Sequence, residues 1–352
     1  MDRSSSMSYK DAGVDIDAKM RAIDRLKVRA QSTLGTSAGP IGHFGGTWRM
    51  HGPANQILVA SADGVGTKLC LAFALGGEAH QTVGADIVNH CVNDILALGA
   101  SPLFFLDYFA TGKLDPDTVE AVVGGIADAC SANSMALLGG ETAEMPDMYA
   151  DGEYDLAGFI VGSVTEDRMV DGSTIREDDI ILGLPSTGLH TNGYSLARKA
   201  IGLTGDDEHD REILAAPLGD TGSTLGEALM APHRSYVQDV MPLLEAGLVQ
   251  GMAHITGGGL IDNLPRTLPE ACIAVLDFQS WQTPPIFERL VELTGLDGEE
   301  RYRVFNMGIG FVLVVRPEDA VGILQNLPEA TPIGRIVNRQ TTDESAVQGF
   351  CG

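Results

Sequence analysis

Short apolar runs alternate with amphipathic segments along the first half of the chain. Runs such as ILVASA and PLFFLDYFA are bounded by glycine and polar residues, which is typical of buried strands. We predict strands at 57–62, 102–110, 135–140 and 154–164, and helices at 86–99 and from about 115 to 133. This alternation predicts strands and helices packed in mixed layers.

The second half repeats the mixture after a polar stretch, TEDRMVDGSTIRED, which predicts a domain boundary. Strands are predicted at 180–185, 272–278, 308–315 and before the glycines 257–259, and helices at 193–201, near 224–246, after those glycines and from 317 to about 327. A chain of 352 residues has room for about two domains. We predict an α+β fold of mixed α/β layers, with an N-terminal domain at 1–170 and a C-terminal domain at 171–345.

Composition narrows the possible partners. The 23 Lys and Arg residues face 48 Asp and Glu, a formal net charge of −25, which disfavours binding to phosphate backbones or anionic membranes. No apolar run approaches the ~18 residues of a membrane span, and the first ten residues lack the apolar core of a signal peptide. Five scattered cysteines are typical of reduced thiols. We expect a soluble, cytoplasmic protein that binds neither nucleic acid nor membrane.

The predicted helix at 86–99 has an unusual polar face. Asp and Asn are poor helix formers, and this face has none of the Lys, Glu, Gln or Arg that helix surfaces prefer. Either the face is simply solvated, or its oxygen atoms are needed together, as hard divalent cations such as Mg²⁺ require. The face consists of Asp86, Asn89, His90, Asn93 and Asp94.

Two glycine-rich motifs follow predicted strands. DGVGTK places Asp63, glycine N–H groups, Thr67 and Lys68 within six residues, which would suit a clamp for phosphate and metal. GGETAEMP adds Glu141 at another strand end. Tight turns with solvated charges remain the alternative for both motifs. The sequence contains no P-loop and no G-x-G-x-x-G motif, so it gives no support to a dinucleotide-binding fold.

Two further motifs lie in the second half. GLHTNGYSL holds His190 in a glycine-flanked loop, where an imidazole could act as general acid or base or be merely structural. HITGGG could form a nest of amides for a phosphate, or a flexible connection. Together, the glycine-rich strand ends predict a shared cleft for an anion and a metal between the two domains.

These motifs in combination resemble one family. SYKDAGVDIDA, DGVGTK, the D-x-x-x-x-G-A-x-P pattern from Asp94, FFLDYFATGKL, GGETAEMPDMY, HTNGYSL, HITGGG and FNMGIG are similar to those of the phosphoribosylformylglycinamidine cyclo-ligase (AIR synthetase) family, from about residue 8 to 337. The resemblance implies an AIR synthetase-like fold and a homodimer. It also implies ATP- and Mg²⁺-dependent closure of formylglycinamidine ribonucleotide to 5-aminoimidazole ribonucleotide in purine biosynthesis.

The resemblance also implies site residues. Catalytic roles fall on His190, Asn192 and Asp94; ATP contacts on Lys27, Asp63, Gly64, Gly66, Thr67, Lys68, Glu141 and Thr142; phosphate contacts on Thr256, Gly257, Gly258 and Gly259; and metal contacts on Asp63, Asn89, Asn93, Asp94 and His254. Among these, His254 stands where several distant relatives have an Asp.

Two other functions remain open from the sequence. A small-molecule kinase of the same superfamily, such as a thiamine-monophosphate kinase, would transfer phosphate and stop. A non-catalytic nucleotide-binding subunit would keep the fold without turnover. Formation of ADP together with aminoimidazole separates the cyclo-ligase from both.

Overall fold

The structure is a computed structural model that describes residues 37–39, 43–50, 55–341 and 343–350. The SYKDAGVDIDA segment and the predicted nucleotide contact Lys27 lie outside the described residues. Among the described residues no helix is both long enough and apolar enough to span a membrane.

The first half forms a five-stranded sheet. Its strands are β1 (Gly46–Arg49), β2 (Gln56–Gly64), β3 (Ser101–Thr111), β4 (Ala136–Glu144) and β5 (Tyr154–Thr165), arranged in the order β1-β2-β5-β3-β4. All neighbours are antiparallel except β3 and β4, which run parallel. The strands predicted at 57–62, 102–110, 135–140 and 154–164 are confirmed.

Helices cover one face of this sheet. They are α1 (Leu69–Leu75), α2 (Glu78–Leu96) and α3 (Pro116–Ala132). The helices α2 and α3 are in close contact because glycines lie where they cross: a Cβ on Gly84 would lie 2.1 Å from the Val122 carbonyl oxygen, and one on Gly125 would lie 2.0 Å from that of Gln81. The predicted helix at 86–99 is the second part of α2, which starts eight residues earlier.

The second half forms a six-stranded sheet in the order β11-β8-β10-β6-β9-β7. Its strands are β6 (Ile180–Pro185), β7 (Val249–His254), β8 (Cys272–Asp277), β9 (Ile309–Val315), β10 (Thr331–Asn338) and β11 (Val347–Phe350). Its helices are α4 (Tyr194–Ile201), α5 (Asp207–Leu214), α6 (Leu225–Met230), α7 (Val237–Glu245), α8 (Gly259–Asn263), α9 (Pro285–Thr294), α10 (Glu300–Val304) and α11 (Pro317–Asn326). The predicted α+β class is confirmed.

One predicted helix is wrong in an informative way. Instead of a single helix near 224–246, the chain forms α6 and α7 with a six-residue break at 231–236 between them. Pro232 lies in this break, has no N–H to donate to a helix and disfavours helical geometry in the residue before it. We call residues 231–236 the bridge loop, because it contacts the first half of the chain.

Candidate functional site

The polar face of α2 holds the bridge loop. Asp86 Oδ1 accepts a hydrogen bond from the main-chain N–H of His233 at 2.7 Å, and Asn89 Nδ2 donates to the His233 carbonyl at 2.7 Å. One turn further on, Asn93 Nδ2 donates to the Arg234 carbonyl at 2.8 Å, and Asn93 Oδ1 accepts from the Tyr236 N–H at 3.0 Å. Short Asp and Asn side chains therefore satisfy main-chain groups that would otherwise be buried without partners.

A buried ion pair supports the same loop. Lys68 Nζ lies 2.6 Å from Asp86 Oδ2, and neither side chain reaches solvent. The same ammonium donates to the Ala231 carbonyl at 2.9 Å. Burial is the dominant influence on both groups: it lowers the pKa of Lys68 and raises that of Asp86, while their mutual attraction opposes each shift. In this arrangement the Lys68 ammonium holds the bridge loop; its predicted contact with ATP stays a prediction.

A row of hydrogen-bonded side chains starts at the exposed strand end of β2. The carboxylate of Asp63 lies 2.7 Å from His90 Nε2, and His90 Nδ1 lies 2.6 Å from Thr191 Oγ1. Thr191 Oγ1 in turn lies 3.4 Å from His233 Nδ1. The row thus crosses from the first half of the chain to the second, and from a half-exposed carboxylate to a fully buried imidazole.

A second carboxylate closes the row from the other side. Asp94 Oδ1 lies 2.8 Å from His254 Nδ1, and Asp94 Oδ2 accepts a hydrogen bond from Ser61 Oγ at 2.9 Å. His254 Nε2 lies 3.1 Å from His233 Nε2. Asp94 Oδ2 also lies 4.0 Å from His90 Nε2, so the row that starts at Asp63 returns to His90 after passing through the other two histidines.

The histidines of this row differ in charge. Burial by itself would lower the pKa of His90, but the carboxylates of Asp63 and Asp94 outweigh burial and raise it to about 9. Burial lowers the pKa of His254 despite its contact with Asp94, and burial together with the neighbouring histidines holds the pKa of His233 well below its ordinary value. His90 is therefore cationic at neutral pH, and the other two are neutral.

His190 lies next to this row in a strained loop. Its backbone φ of 59° is in the left-handed region, and its ring stacks on that of His233 at a centroid distance of 4.0 Å. The main-chain N–H of Thr187 donates to His190 Nε2 at 3.3 Å, whereas the buried Nδ1 has no hydrogen-bond partner among the described residues. Burial, followed by nearby cationic and histidine side chains, holds the pKa of His190 well below its ordinary value. The ring is therefore neutral, with its proton on Nδ1.

The glycine run lies against the His190 loop. The space where a side chain on Gly257 would start is 3.1 Å from Asn192 Oδ1. Asn263 fixes this run, because its side-chain Nδ2 donates to the main-chain carbonyls of Thr256, Gly257 and Gly259. The predicted phosphate contacts and the predicted catalytic loop thus meet at one place.

The DGVGTK loop is joined to the second half in a similar way. Thr67 Oγ1 lies 3.1 Å from Ser195 Oγ, in the first turn of α4. The ring of Tyr194, also in that turn, lies 5.7 Å from Lys68 Nζ. Gly64 and Gly66 precede Thr67 in this loop, and the Gly64 N–H donates to Asp63 Oδ1 at 2.7 Å.

The structure does not bring every predicted residue to this place. Across the first sheet, Asp63 pairs with Gly158, Gly158 with Asp107, and Asp107 with Gly140. Three strand spacings separate β2 from β4, or about 14 Å. Side chains alternate between faces along a strand, so Glu141, next to Gly140, points to the face opposite Asp63. Within one chain, Glu141 therefore lies apart from the row of hydrogen-bonded side chains that starts at Asp63. Its neighbour Thr142 also lies on β4.

Sequence reasoning missed two members of the row. His233 lies where a continuous helix was expected, and Thr191, although part of the GLHTNGYSL motif, was not among the predicted site residues. The Pro232 in front of His233 is the one sequence signal that could have indicated the break. His90 was placed on the correct helix face, but its partner Thr191 is 101 residues away along the chain.

With this geometry in view, comparison with known proteins defines the class. Family models described as "AIR synthase related protein, N-terminal domain" and "AIR synthase related protein, C-terminal domain" match residues 46–164 and 176–345. They cover well over half of the chain, which therefore belongs to the AIR synthase related family.

Individual relatives are similar over nearly the whole chain. It is 49% identical over 348 residues to a phosphoribosylformylglycinamidine cyclo-ligase of Aromatoleum aromaticum, covering 98% of this chain and 96% of the relative. It is 50% identical over 326 residues to the protein of that name from Burkholderia multivorans, covering 92% and 90%. The resemblance found in the motifs is confirmed.

Solved structures with the same fold are more distant in sequence. AaThiL complexed with AMPPCP and TMP superposes with a TM-score of 0.65 at 16% identity, covering 98% of this chain and 96% of that one. The hydrogenase maturation protein HypE in complex with ATP gives a TM-score of 0.61 at 20% identity, covering 85% and 83%. At these identities the likeness establishes the fold.

Proposed function

We propose that the chain is an ATP-dependent cyclo-ligase. It converts formylglycinamidine ribonucleotide and ATP into 5-aminoimidazole ribonucleotide, ADP, phosphate and a proton, in the cytoplasm and as a step of purine biosynthesis. The observation that carries this proposal is the 49% identity over 98% of the chain to a relative with the corresponding name. The arrangement of the HTNGYSL and HITGGG segments against one another supports it.

The chemistry needs positioning more than covalent participation by the protein. The formamide oxygen is a poor leaving group, so ATP first phosphorylates it, and an iminophosphate and ADP result. The amidine-derived nitrogen then attacks the formamide carbon, the C–O bond breaks, and phosphate leaves. Because both reacting atoms belong to one molecule, the site gains rate chiefly by holding them in contact and by neutralising charge on the phosphates.

We propose that His190 and Asn192 contact the reacting part of the substrate. His190 Nδ1 carries the ring proton and has no acceptor among the described residues, so a substrate oxygen would satisfy it. Asn192 lies beside the glycine run, whose main-chain amides would suit a phosphate. Thr256, Gly258 and Gly259 complete that phosphate site.

We propose that Asp63 and Asp94 hold Mg²⁺ with the ATP phosphates. Bound there, Mg²⁺ would neutralise phosphate charge and orient the transferred group. The donor set fits, because a carboxylate oxygen from each of Asp63 and Asp94 lies close to His90 in one cluster and Asp63 faces solvent. Asn89 and Asn93, also predicted as metal contacts, act on this site through the bridge loop that they hold. His254 acts through Asp94, which it contacts.

The remaining ATP contacts are proposed from the resemblance. The DGVGTK loop continues after Asp63 with Gly64, Gly66 and Thr67. We propose that these three residues contact the ATP phosphates. Lys27 is proposed to contact the nucleotide. Glu141 and Thr142 lie on the far strand of the sheet, and their contact with ATP is proposed from the resemblance alone.

We propose a homodimer formed through the uncovered face of the first sheet. Phe159 is 45% exposed and Leu138 is 64% exposed, although both lie on strands of a sheet whose other face is covered by helices. Large apolar side chains clustered on an uncovered sheet are typical of a subunit interface.

The test is a coupled measurement of products. Protein is mixed with Mg-ATP with and without formylglycinamidine ribonucleotide, and ADP and aminoimidazole are followed in parallel. One ADP per aminoimidazole, with neither formed when a substrate is omitted, supports the cyclo-ligase. ADP with a stable phosphorylated product would indicate a superfamily kinase, and ATP binding without turnover would indicate a non-catalytic subunit.

A further inference from the structure

The FNMGIG segment, residues 305–310, runs beside the loop that carries His190. The two segments are joined through the main chain, because the N–H of Ser186 donates to the Gly308 carbonyl at 2.8 Å. The one polar side chain of the segment is that of Asn306, which is only 5% exposed. The catalytic proposal above assigns no role to this buried amide.

The partners of the Asn306 amide fix its orientation. Its Oδ1 accepts from the main-chain N–H of Gly308 at 2.9 Å and from the Ser186 hydroxyl at 3.0 Å. Its Nδ2 donates to the Gly188 carbonyl at 2.9 Å. A main-chain N–H can only donate and a carbonyl can only accept, so a turned amide would lose both contacts. The buried amide is therefore held in one orientation.

The two contacts of Asn306 with the loop lie on either side of Thr187. Because Ser186 and Gly188 are both held, the direction of the Thr187 N–H between them is restricted. This N–H donates to His190 Nε2 at 3.3 Å. A donor at Nε2 requires a lone pair there, so the proton of the neutral ring is on Nδ1.

Both joined segments adopt backbone conformations that need support. His190 has a φ of 59° and Met307 a φ of 50°, in the left-handed region that residues with a side chain rarely adopt. Asn306 supports the turn at Met307, because its side-chain oxygen accepts from the N–H two residues further on. The same amide also holds the loop of His190, so it ties two strained turns to each other.

We propose that Asn306 is a positioning residue for His190. It holds the loop so that the Thr187 N–H points at Nε2 of the ring. The ring proton then stays on Nδ1, the atom proposed to face the substrate. This inference rests on the proposed catalytic role of His190, but the position of the ring proton can be measured without substrate. Its failure is therefore distinguishable from failure of the proposed function.

The first test determines the tautomer of His190 in the free, full-length protein. The chain is labelled with ¹⁵N at histidine, and long-range ¹H–¹⁵N NMR spectra distinguish a protonated Nδ1 from a protonated Nε2. The spectrum of His190→Gln assigns the signals. We expect the Nδ1–H form in the parent chain and a shift towards the Nε2–H form in Asn306→Ala. A proton on Nε2 in the parent chain, or an unchanged tautomer in folded Asn306→Ala, would overturn the proposal.

The second test separates kcat from KM. Asn306→Ala should lower kcat by about 100-fold, the size of effect expected from a shift of about 1 Å at a reacting centre. The KM for ATP should be largely kept, because Asn306 contacts the His190 loop and not the DGVGTK loop. A raised KM for ATP with unchanged kcat would overturn the proposal. If the parent chain has no turnover, the cyclo-ligase is contradicted and the tautomer decides this inference.

A milder variant keeps the test decisive if Asn306→Ala does not fold. Ser186→Ala removes one hydrogen bond to Asn306 and leaves those with Gly188 and Gly308. It should lower kcat about fivefold, as expected for one hydrogen bond, and shift part of the His190 population to the Nε2–H form. Unchanged kcat together with an unchanged tautomer in Ser186→Ala would contradict the proposal.

The matched control is Asn326→Ala. Asn326 is an exposed residue of α11 whose Nδ2 likewise donates to a main-chain carbonyl, that of Gly322, at 2.9 Å. This variant should match the parent chain in kcat and in the His190 tautomer. Circular dichroism of each variant establishes that it is folded before spectra and rates are compared.

Discussion

Lys68 and Asp86 form an ion pair of 2.6 Å from which solvent is completely excluded, and both partners also contact main-chain groups of the bridge loop. Removing only one partner leaves an uncompensated charge in the interior. We therefore expect Lys68→Met to lower the free energy of unfolding by about 3–5 kcal/mol. Urea denaturation measures this loss.

The companion variant is Lys68→Met combined with Asp86→Asn, which removes the orphaned charge. It should recover part of the lost stability. If Lys68→Met instead left stability unchanged and only weakened ATP binding, the lysine would be a phosphate ligand and its ion pair incidental.

Gly310 sets the position of His190. A Cβ at residue 310 would lie 2.5 Å from His190 Cε1 and 2.1 Å from the Tyr236 hydroxyl. Gly310→Ala should displace the imidazole and lower kcat by about 100-fold, because a shift of about 1 Å at a reacting centre has effects of that size. Steady-state kinetics give kcat, and calorimetry with ATP should show affinity largely kept.

Gly322→Ala is the matched control. Gly322 lies inside α11, and a Cβ there meets no atom within 4 Å. It should be as active as the parent chain and slightly more stable, by about 0.5–1 kcal/mol. Equal activity in both alanine variants would argue against a tightly held His190.

The carboxylate of Asp94 has a testable chemical role. Asp94→Asn keeps the shape of the side chain and a partner for Ser61, but removes the charge proposed to bind Mg²⁺. We expect kcat/KM to fall more than about 100-fold, with the circular dichroism spectrum unchanged. Asp128→Asn on the exposed surface of α3 is the control. Unchanged Mg²⁺-dependent turnover in Asp94→Asn would remove Asp94 from the metal site.

The raised pKa of His90 predicts a pH dependence of stability. Its folded pKa of about 9 exceeds the ordinary value of 6.5, so its contribution is fully present below about pH 6.5 and is lost as the pH rises through 9. With a chelator present, the stability difference between the parent chain and His90→Gln should shrink by up to about 3 kcal/mol between pH 6.5 and 10.

The neighbouring histidines act in the opposite direction. The pKa values of His233 and His254 are lowered, so their protonation favours unfolding as the pH falls below 6.5. Urea titrations on both sides of neutrality therefore separate the two effects. A stability difference between the parent chain and His90→Gln that does not vary with pH would contradict the ionic contact with Asp63.

The proposed dimer is tested at Phe159. Phe159→Asp places a charge on the uncovered face of the first sheet and should convert the dimer to a monomer in sedimentation experiments. Val321→Asp, at a residue that is 65% exposed on α11, should leave the association unchanged. A parent chain that sediments as a monomer would contradict the interface.

Local patterns predicted most of the framework. The apolar runs at 57–62 and 102–110 became β2 and β3 because side chains on one face of each strand, such as Val59 and Phe105, are buried. The single helix expected near 224–246 was wrong, because the polar partners that stabilise the bridge loop lie on α2, more than 140 residues earlier.

The site was predictable to a smaller extent. The motif residues Asp63, Asp94, His190 and Asn192 could be named from sequence, since each lies in a short recognisable segment. The pairing of His233 with His254 could not, because it depends on how two sheets and a helix meet. Long-range geometry of this kind leaves no periodicity in the chain.

The hydrogen bonds between α2 and the bridge loop also limit how the chain can be divided into fragments. If the chain were cut between β5 and β6, Asp86, Asn89 and Asn93 would face water as ordinary surface side chains, and α2 would resemble the simple amphipathic helix that its sequence suggests. The freed bridge loop would in turn have to find water for its main-chain groups. Each half would then lack the hydrogen-bond partners that the other half supplies. The two halves therefore have to be expressed and engineered together as one chain.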